Sequence, residues 1–420
     1  MALHLNSEII LTIDKPVAGG RMLARHEGQI VFVAGAIPGE RVRVRVDRVS
    51  KQLAFASTIE VLEQSVDRRA LGADWACGGS FYAHIVYERQ LELKAEVVED
   101  AFARIAKMPL AAPVPVLGSK ERGYRMRARL HVKDGRIGFF REGTHELCDA
   151  GPTHQLLPES VDALRRVETL LQTTPLTSCE VSENTDATER AVLLELAPSA
   201  TVPHHIDPID GISGLLFIDH EQGHITVSYG SPYVTDRIGA SDAGVVLTHH
   251  VQSFFQGNRY LLAELVARVI AYVPAGAVTD LYAGVGLFAV SLAKRGDVTI
   301  VAVEGDRSSA RDLESNAASF GSAVHVQHVS VENHLQRRGL QCPDTVLLDP
   351  PRTGISQEAM SALLGLKVRR IVYVSCDPAT LARDVRRFME VEYSLDHMEA
   401  FDLFPNTAHV ETLAVLTRPT

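Results

Sequence analysis

The chain has 420 residues, is 46% apolar and carries a formal net charge of −10. That length allows two or three domains with real cores. No apolar run approaches the ~20 residues of a membrane span, and the start MALHLNSEIILTIDKP lacks the blocks of a signal peptide, so a cytoplasmic, membrane-free protein is expected.

The acidic balance weighs against a polyanion partner, although local charge counts for more than the sum. Five cysteines, Cys77, Cys148, Cys179, Cys342 and Cys376, are too few and too scattered for a disulfide framework. Each is therefore expected to be core filler, ligand or nucleophile.

Residues 1 to 64 read as short strands broken by turns (AGG at 18 to 20, IPGE at 37 to 40), without helical periodicity, which predicts a small β-barrel. In GERVRVRVDRVSKQ the strand alternation sends Arg41, Arg43 and Arg45 to one face and Val42, Val44 and Val46 to the other. Residues 65 to 238 mix helix (YERQLELKAEVVEDAFARIA) with strand, giving an α+β central domain. There, GYRMRARLHVKDGRIGFFREG repeats the basic alternation at Arg125, Arg127 and Arg129, and the span 120 to 141 has a local excess of six positive charges. A solvated face is the plain reading of either ribbon alone; two of them point to nucleic acid.

From 239 to 420, strand-like runs (AVTDLYAG, DVTIVAVEGD, DTVLLDPPR, RIVYVSCD) alternate with helical ones, the pattern of a doubly wound α/β sheet with ligands at the strand carboxyl ends. In TDLYAGVGLF, Gly284 and Gly286 lie between a strand and a helix, where the backbone can come close to a ligand. The next strand ends in Glu304, placed to accept from ribose hydroxyls. With Ala289 in the third position, GxGxxG is incomplete, and there is no phosphate-cradling lysine loop. S-adenosylmethionine fits this better than NAD or ATP.

The next strand ends in LLDPPRTG, which sets Asp349 at the sheet edge beside a rigid proline wall. VYVSCDP then delivers Cys376 to the same edge. Asp377 can cap the following helix and Pro378 suits its first turn, so the helix N-terminus is expected to favour the nucleophilic thiolate. FPNTAHVE adds His409 and Glu411. On their own these read as a structural histidine and a surface carboxylate.

DLYAGVG, DPPR, VSCDPATLARD and FPNTAHVE, standing in this order, resemble the RNA uracil-C5 methyltransferase family over nearly the whole chain. The resemblance implies a TRAM domain, an OB-like RNA-binding barrel, at residues 1 to 64, and a Rossmann-like class I methyltransferase domain at 239 to 420. It implies that Gln256, Tyr282, Glu304 and Asp349, beside the glycine loop of Gly284 and Gly286, contact S-adenosylmethionine. Cys376 would be the nucleophile and Glu411 the general base, with the six arginines on RNA backbone. The RNA is 23S rRNA or tRNA, the former favoured by the barrel, and a monomer is the default.

Many family members hold a [4Fe-4S] cluster. Here Leu71, Ser80 and Thr153 stand where three ligating cysteines would be, Cys77 alone matches and Cys148 is offset, so no cluster is expected. Two other classes compete: an RNA-binding or chaperone protein that has lost the chemistry, and a cytosine-C5 or adenine-N6 methyltransferase. Intact Cys376 and Glu411 oppose the first, and Arg352, where an aromatic residue would follow Pro-Pro, opposes the adenine enzyme.

Overall fold

A computed structural model describes residues 3–50, 53–70, 74–172, 174–219, 223–239 and 244–419. Five strands, β1 (Glu8–Pro16), β2 (Met22–His26), β3 (Gln29–Ala34), β4 (Arg41–Val49) and β5 (Leu53–Glu63), close into a barrel in the order β1-β2-β3-β5-β4. Alternation builds it: Val42, Val44 and Val46 are fully buried inside, and the intervening arginines face out. At the IPGE turn, the fully buried Glu40 accepts from the Ile37 amide at 2.9 Å and from the Arg68 guanidinium at 2.6 Å, locking the barrel to the segment that leaves it.

Helix α1 (Tyr87–Ala101) follows, continuing as a wider turn over Phe102–Ala106, and then the short β6 (Val116–Leu117). The middle of the chain contributes β7 (Arg127–Lys133), β8 (Arg136–Phe140), β9 (Leu147–Asp149), α2 (Pro158–Val167), β10 (Leu176–Glu183), β11 (Arg190–Leu196), β12 (Gly214–Asp219) and β13 (His224–Gly230). These strands form one sheet in the order β13-β12-β11-β10-β7-β8-β9. A separate hairpin pairs β14 (Tyr233–Ile238) with β15 (Val245–His250).

The last part runs α3 (Leu262–Ala271), β16 (Gly276–Leu281), α4 (Leu287–Ala293), β17 (Val298–Glu304), α5 (Arg307–Ala317), β18 (Val324–His328), α6 (Val331–Leu335), β19 (Thr345–Leu348), α7 (Gln357–Leu366), β20 (Arg370–Ser375), α8 (Pro378–Met389), β21 (Ser394–Phe401) and β22 (Glu411–Thr417). Its sheet order is β18-β17-β16-β19-β20-β22-β21-β6. The first five strands are parallel, as the strand and helix alternation predicts. The final pair, β22 and β21, runs antiparallel, because the hairpin between them needs no crossover helix.

Two features amend the expected segmentation. Val116 and Leu117 pair with Ala400 and Phe401, so β6 extends the C-terminal sheet although it lies in the 65 to 238 segment. The 238/239 boundary falls inside the β14–β15 hairpin. Buried ionic contacts tie the parts together: Arg259, just ahead of α3, reaches Glu183 at the end of β10, and its Nε donates to the Gly123 carbonyl at 2.8 Å. Among the described residues, no helix is long and apolar enough to cross a membrane.

Candidate active site

Cys376 and Glu411 are thirty-five positions apart in the chain, and the sheet register brings them to one place. On the antiparallel pair β20 and β22, Ser375 stands opposite Thr412. Cys376 follows Ser375 and Glu411 precedes Thr412, so both flank that pair, and the Glu411 charge acts on the Cys376 thiol. Cys376 lies directly ahead of α8, whose N-cap Asp377 accepts from the Thr380 amide at 2.8 Å and whose first residue is Pro378. The cap and proline signals thus do what the sequence predicts. Cys376 opens into a cavity of about 590 Å³ shared with Arg125, His131, Phe139, Phe140, Arg352, Phe404 and His409.

The electrostatics reverse one expectation. Burial, then the charge of Glu411, pushes the Cys376 thiol up to about 11, with Arg352 acting the other way. The helix N-terminus does not by itself make a thiolate here, because two carboxylates and partial desolvation oppose it. Glu411, 4% exposed, is held well above the usual carboxylate range by burial and by Asp349, against Arg352. His409 is kept neutral at pH 7 by enclosure and by Arg352, Lys94 and Arg125. Arg352, whose sequence position spoke only against an adenine substrate, is therefore the cation that acts on both reaction candidates. Its signal was present in DPPR.

The residues expected at the cofactor lie along the carboxyl ends of β16, β17 and β19. Asp349 follows β19; burial raises its carboxyl to about 7, and Gln256 Nε2 donates to its Oδ2 at 3.4 Å. Glu304 ends β17, accepting from the Gly284 amide at 2.8 Å and the Asp306 amide at 2.6 Å, and burial raises its carboxyl too. Tyr282, Gly284 and Gly286 all have positive φ, 64°, 55° and 94°, a sharply turned loop that the non-glycine Tyr282 holds under strain. A side chain at Gly286 would strike Leu313 and Val290, whereas beside Gly284 there is open space.

Asp280, the last-but-one residue of β16, was not singled out from sequence. It is fully buried, among the described residues no side-chain or backbone donor lies within ordinary hydrogen-bond geometry of either oxygen, and burial plus Asp349 raise it well above the ordinary range, with only the Ala289 amide acting the other way. Its position four residues before Gly284 was the available signal. An orphaned buried carboxyl beside a bare glycine loop fits a polar ligand carrying hydrogen-bond donors.

The two arginine ribbons are less free than the alternation suggested. Arg41 pairs with Glu63 at 3.1 Å and Arg43 with Glu60 at 2.9 Å across β4 and β5, leaving Arg45 exposed. Arg127 is spent on the carbonyls of Val251, Gln252 and Ser253, and Arg129 on Glu195 at 3.1 Å. Arg125 bonds Gln155 at 2.6 Å and lines the cavity. Sequence periodicity places a side chain on a face but does not reveal the carboxylates on the next strand.

The cysteine expectation needs a second correction. Cys77 and Cys148 form a disulfide, their Cα atoms 5.9 Å apart, because Cys148 pairs with Phe139 on β8 and Cys77 bridges Arg141 at the end of the same strand. Neither is filler, ligand or nucleophile in this state. Ser80 and Thr153 are buried, and Leu71 lies outside the described residues. Among the described residues, no group of three or more potential metal ligands converges.

The family model described as tRNA (uracil-5-)-methyltransferase matches residues 219–419, and the TRAM domain model matches 5–59. An uncharacterised RNA methyltransferase of Streptomyces coelicolor is 34% identical, over 96% of this chain and 91% of its own length. The chain belongs to the RNA uracil-C5 methyltransferase family. Another uncharacterised RNA methyltransferase, from Thermosynechococcus vestitus, is 30% identical over 97% of this chain and 98% of its own. The crystal structure of the Pyrococcus abyssi tRNA (uracil-54, C5)-methyltransferase in complex with S-adenosyl-L-homocysteine superposes with a TM-score of 0.76 at 25% identity, covering 97% of this chain and all of that one. The methyltransferase therefore has the expected fold, a TRAM barrel ahead of a class I catalytic sheet.

Proposed function

We propose that this methyltransferase acts on C5 of an unpaired uridine through a covalent adduct. Cys376, as thiolate, adds to C6 of the uracil; the electron pair moves to make C5 nucleophilic. S-adenosylmethionine, when bound, supplies the electrophilic methyl group that C5 takes, the methyl–sulfur bond breaking and its electron pair leaving on the neutral thioether, S-adenosylhomocysteine. Gln256, Tyr282, Gly284, Gly286, Glu304 and Asp349 are the residues that would hold it, with Asp280 beneath them. Glu411 then accepts the C5 proton, the C5–C6 double bond re-forms and the Cys376 sulfur leaves.

The observation that carries this reading is the β20–β22 register: Ser375 stands opposite Thr412, so Cys376, which lines the cavity, and the buried Glu411 flank one strand pair, and the Glu411 charge acts on the thiol. The raised carboxyl suits it: Glu411, as carboxylate, is a strong enough base in a desolvated site to accept the C5 proton, which it passes to solvent when the product leaves. Arg352, facing both, is suited to the charge that builds on the uracil during addition. A stacked base cannot reach Cys376, so the uridine must be extruded from its loop.

Incubation with 5-fluorouridine RNA and labelled cofactor tests this, because fluorine at C5 blocks the final proton removal. The wild type should form an adduct that survives denaturation and Cys376→Ser should not. Glu411→Gln should accumulate adduct on ordinary uridine RNA. Absence of an adduct with any cellular RNA would falsify the proposal.

For the substrate, 23S rRNA is proposed first and a tRNA loop second. The Pyrococcus enzyme, a tRNA methyltransferase by its description, matches 97% of this chain. The barrel alone therefore does not separate the two. Mapping 5-methyluridine in rRNA and tRNA from a deletion strain decides between them.

A further inference from the structure

Strand alternation in a small barrel normally sends apolar side chains inward and polar ones out. In the N-terminal barrel, β2, β3 and β5 depart from this rule on one side. Leu23 on β2 stands opposite Phe32 on β3, Phe32 opposite Phe55 on β5, and Phe55 opposite Arg48 on β4. These four side chains form one transverse row on the outside of the barrel, between fully buried neighbours such as Val31, Val33, Ala54 and Ala56. Arg25, Ile30 and Leu53 form the next row. None of these apolar side chains packs against the barrel's own core cluster.

The face is layered as well as apolar. Phe32 and Phe55 have ring centroids 5.5 Å apart. The Arg48 guanidinium lies 4.0 Å over the Phe55 ring and that of Arg21 lies 5.7 Å from it. Arg25, Arg45 and Arg48 are exposed along its rim. Among the described residues, no carboxylate comes within ion-pairing distance of these three, whereas Arg41 and Arg43 are paired. Aromatic rings and planar guanidinium groups in alternation, in an otherwise acidic chain, match the flat faces and phosphates of unpaired nucleotides.

The platform also adjoins the catalytic cavity. Ala18 and Gly19, in the β1–β2 turn, line that cavity together with Cys376 and His409. Gly20 packs so tightly that a side chain there would lie 2.9 Å from Ala408, in the loop that leads into β22 and Glu411. Arg21 comes one residue later. Glu142, another residue lining the cavity, acts electrostatically on Arg21.

We infer that the row Leu23, Phe32, Phe55 and Arg48 is a stacking platform for unpaired RNA bases flanking the target uridine, reached from the cavity past Arg21. This rests on the reading of the chain as an RNA uridine methyltransferase. It moves the barrel's contact with RNA from the paired arginines Arg41 and Arg43 to an aromatic face, and it makes the substrate single-stranded for several nucleotides on one side of the target.

The probe is a 5-fluorouridine-containing oligoribonucleotide of about twelve unpaired nucleotides, against one of about three, within the range a barrel of this kind spans. With the longer RNA, Phe55→Ala should weaken binding roughly ten- to hundredfold without changing its salt dependence. Phe55→Trp should restore it, while Phe55→Leu, which keeps the bulk, should not. Arg48→Ala should lower the salt slope by about one. With the short RNA all variants should match the wild type, and adduct formation at saturating RNA should be unaltered.

Equal affinity of wild type and Phe55→Ala for the longer RNA would overturn the platform, as would a loss of the same size on both RNAs. If the wild type forms adduct but shows no dependence on flank length, the platform alone fails. If it forms no adduct while the flank dependence holds, the reaction fails and the platform stands.

Discussion

Arg352 acts on three groups that the reaction needs in defined protonation states. It lowers Cys376 and Glu411 and helps keep His409 neutral. With the Cys376 thiol at about 11, the thiolate fraction near neutrality is small and grows about tenfold per pH unit, so single-turnover methylation should rise with pH through 7 to 9. Arg352→Ala should push the thiol higher still, moving that rise to more alkaline pH and slowing the reaction at pH 7 by tenfold or more. A stopped-time pH profile of adduct formation checks it, and an unshifted profile would sink the electrostatic role.

Asp349 carries a linked prediction about stability. Its carboxyl is raised to about 7 in the folded chain, above its unfolded value near 4. The folded state thus holds a proton that the unfolded state releases, and stability from this group is lost as pH rises from 4 through 7. Asp349→Asn should remove that loss. Its melting temperature relative to wild type should climb by several degrees across this window and level off above it.

At the scale of elements, the loop between β21 and β22 carries Phe404, His409 and the approach to Glu411, and α1 holds it. Lys94 on α1 donates to Asp402 at 2.5 Å and to the Phe404 carbonyl at 3.2 Å, and both side chains of the ion pair are at most 1% exposed. Gln90 and Asn406 bond each other reciprocally from the same helix. Lys94→Met leaves the Asp402 charge buried and alone, which should cost about 3–5 kcal/mol. Denaturant unfolding measures it, and Lys94→Met with Asp402→Leu should recover most of the loss.

The disulfide works at this scale too. It ties the loop bearing Gly78, Gly79 and Phe81 to the β8–β9 hairpin bearing Phe139 and Phe140, so it staples two walls of the cavity. The bridge closes a sequence separation of 71 residues, and by loop entropy its removal costs up to about 4.4 kcal/mol. Cys148→Ser should lower the melting temperature under non-reducing conditions. Under a dithiol reductant, wild type and variant should melt together.

For the molecule as a whole, the barrel is seated on the catalytic loop at Gly20. This residue has φ of 88° and no room for a side chain between Phe81 and Ala408. Gly20→Val should unseat the turn and weaken RNA binding by tenfold or more, while cofactor binding, through residues the barrel does not line, stays unchanged. Calorimetry with S-adenosylhomocysteine and a filter assay with RNA separate the two effects.

Much of this was legible in the residues. The glycine loop, DPPR, SCDP and HVE each sit at a strand end, and strand ends announce themselves through apolar runs that stop at glycine, proline or a capping Asp. Asp280 was missed because a carboxyl inside an apolar strand reads as a strand terminator. The ion pairs of Arg41, Arg43 and Arg129 were not legible, because ion pairing crosses strands whose register no local pattern displays. The Cys77–Cys148 bridge was missed for the same reason: the β8–β9 hairpin sets Cys148 beside Phe139, but Cys77 reaches the same end of β8 only through a bridge to Arg141, distant in sequence.

The chain's own chemistry, which side chains could attack, accept a proton or cradle an adenosine-like ligand, followed from residue type and spacing, because caps, turns and alternation are local. Which of them meet was decided by tertiary structure alone. The antiparallel β20–β22 register sets a thiol beside a carboxyl, raises both by desolvation and reverses the simple helix-dipole expectation for Cys376, since burial depends on everything packed around a group and not on its neighbours in the chain.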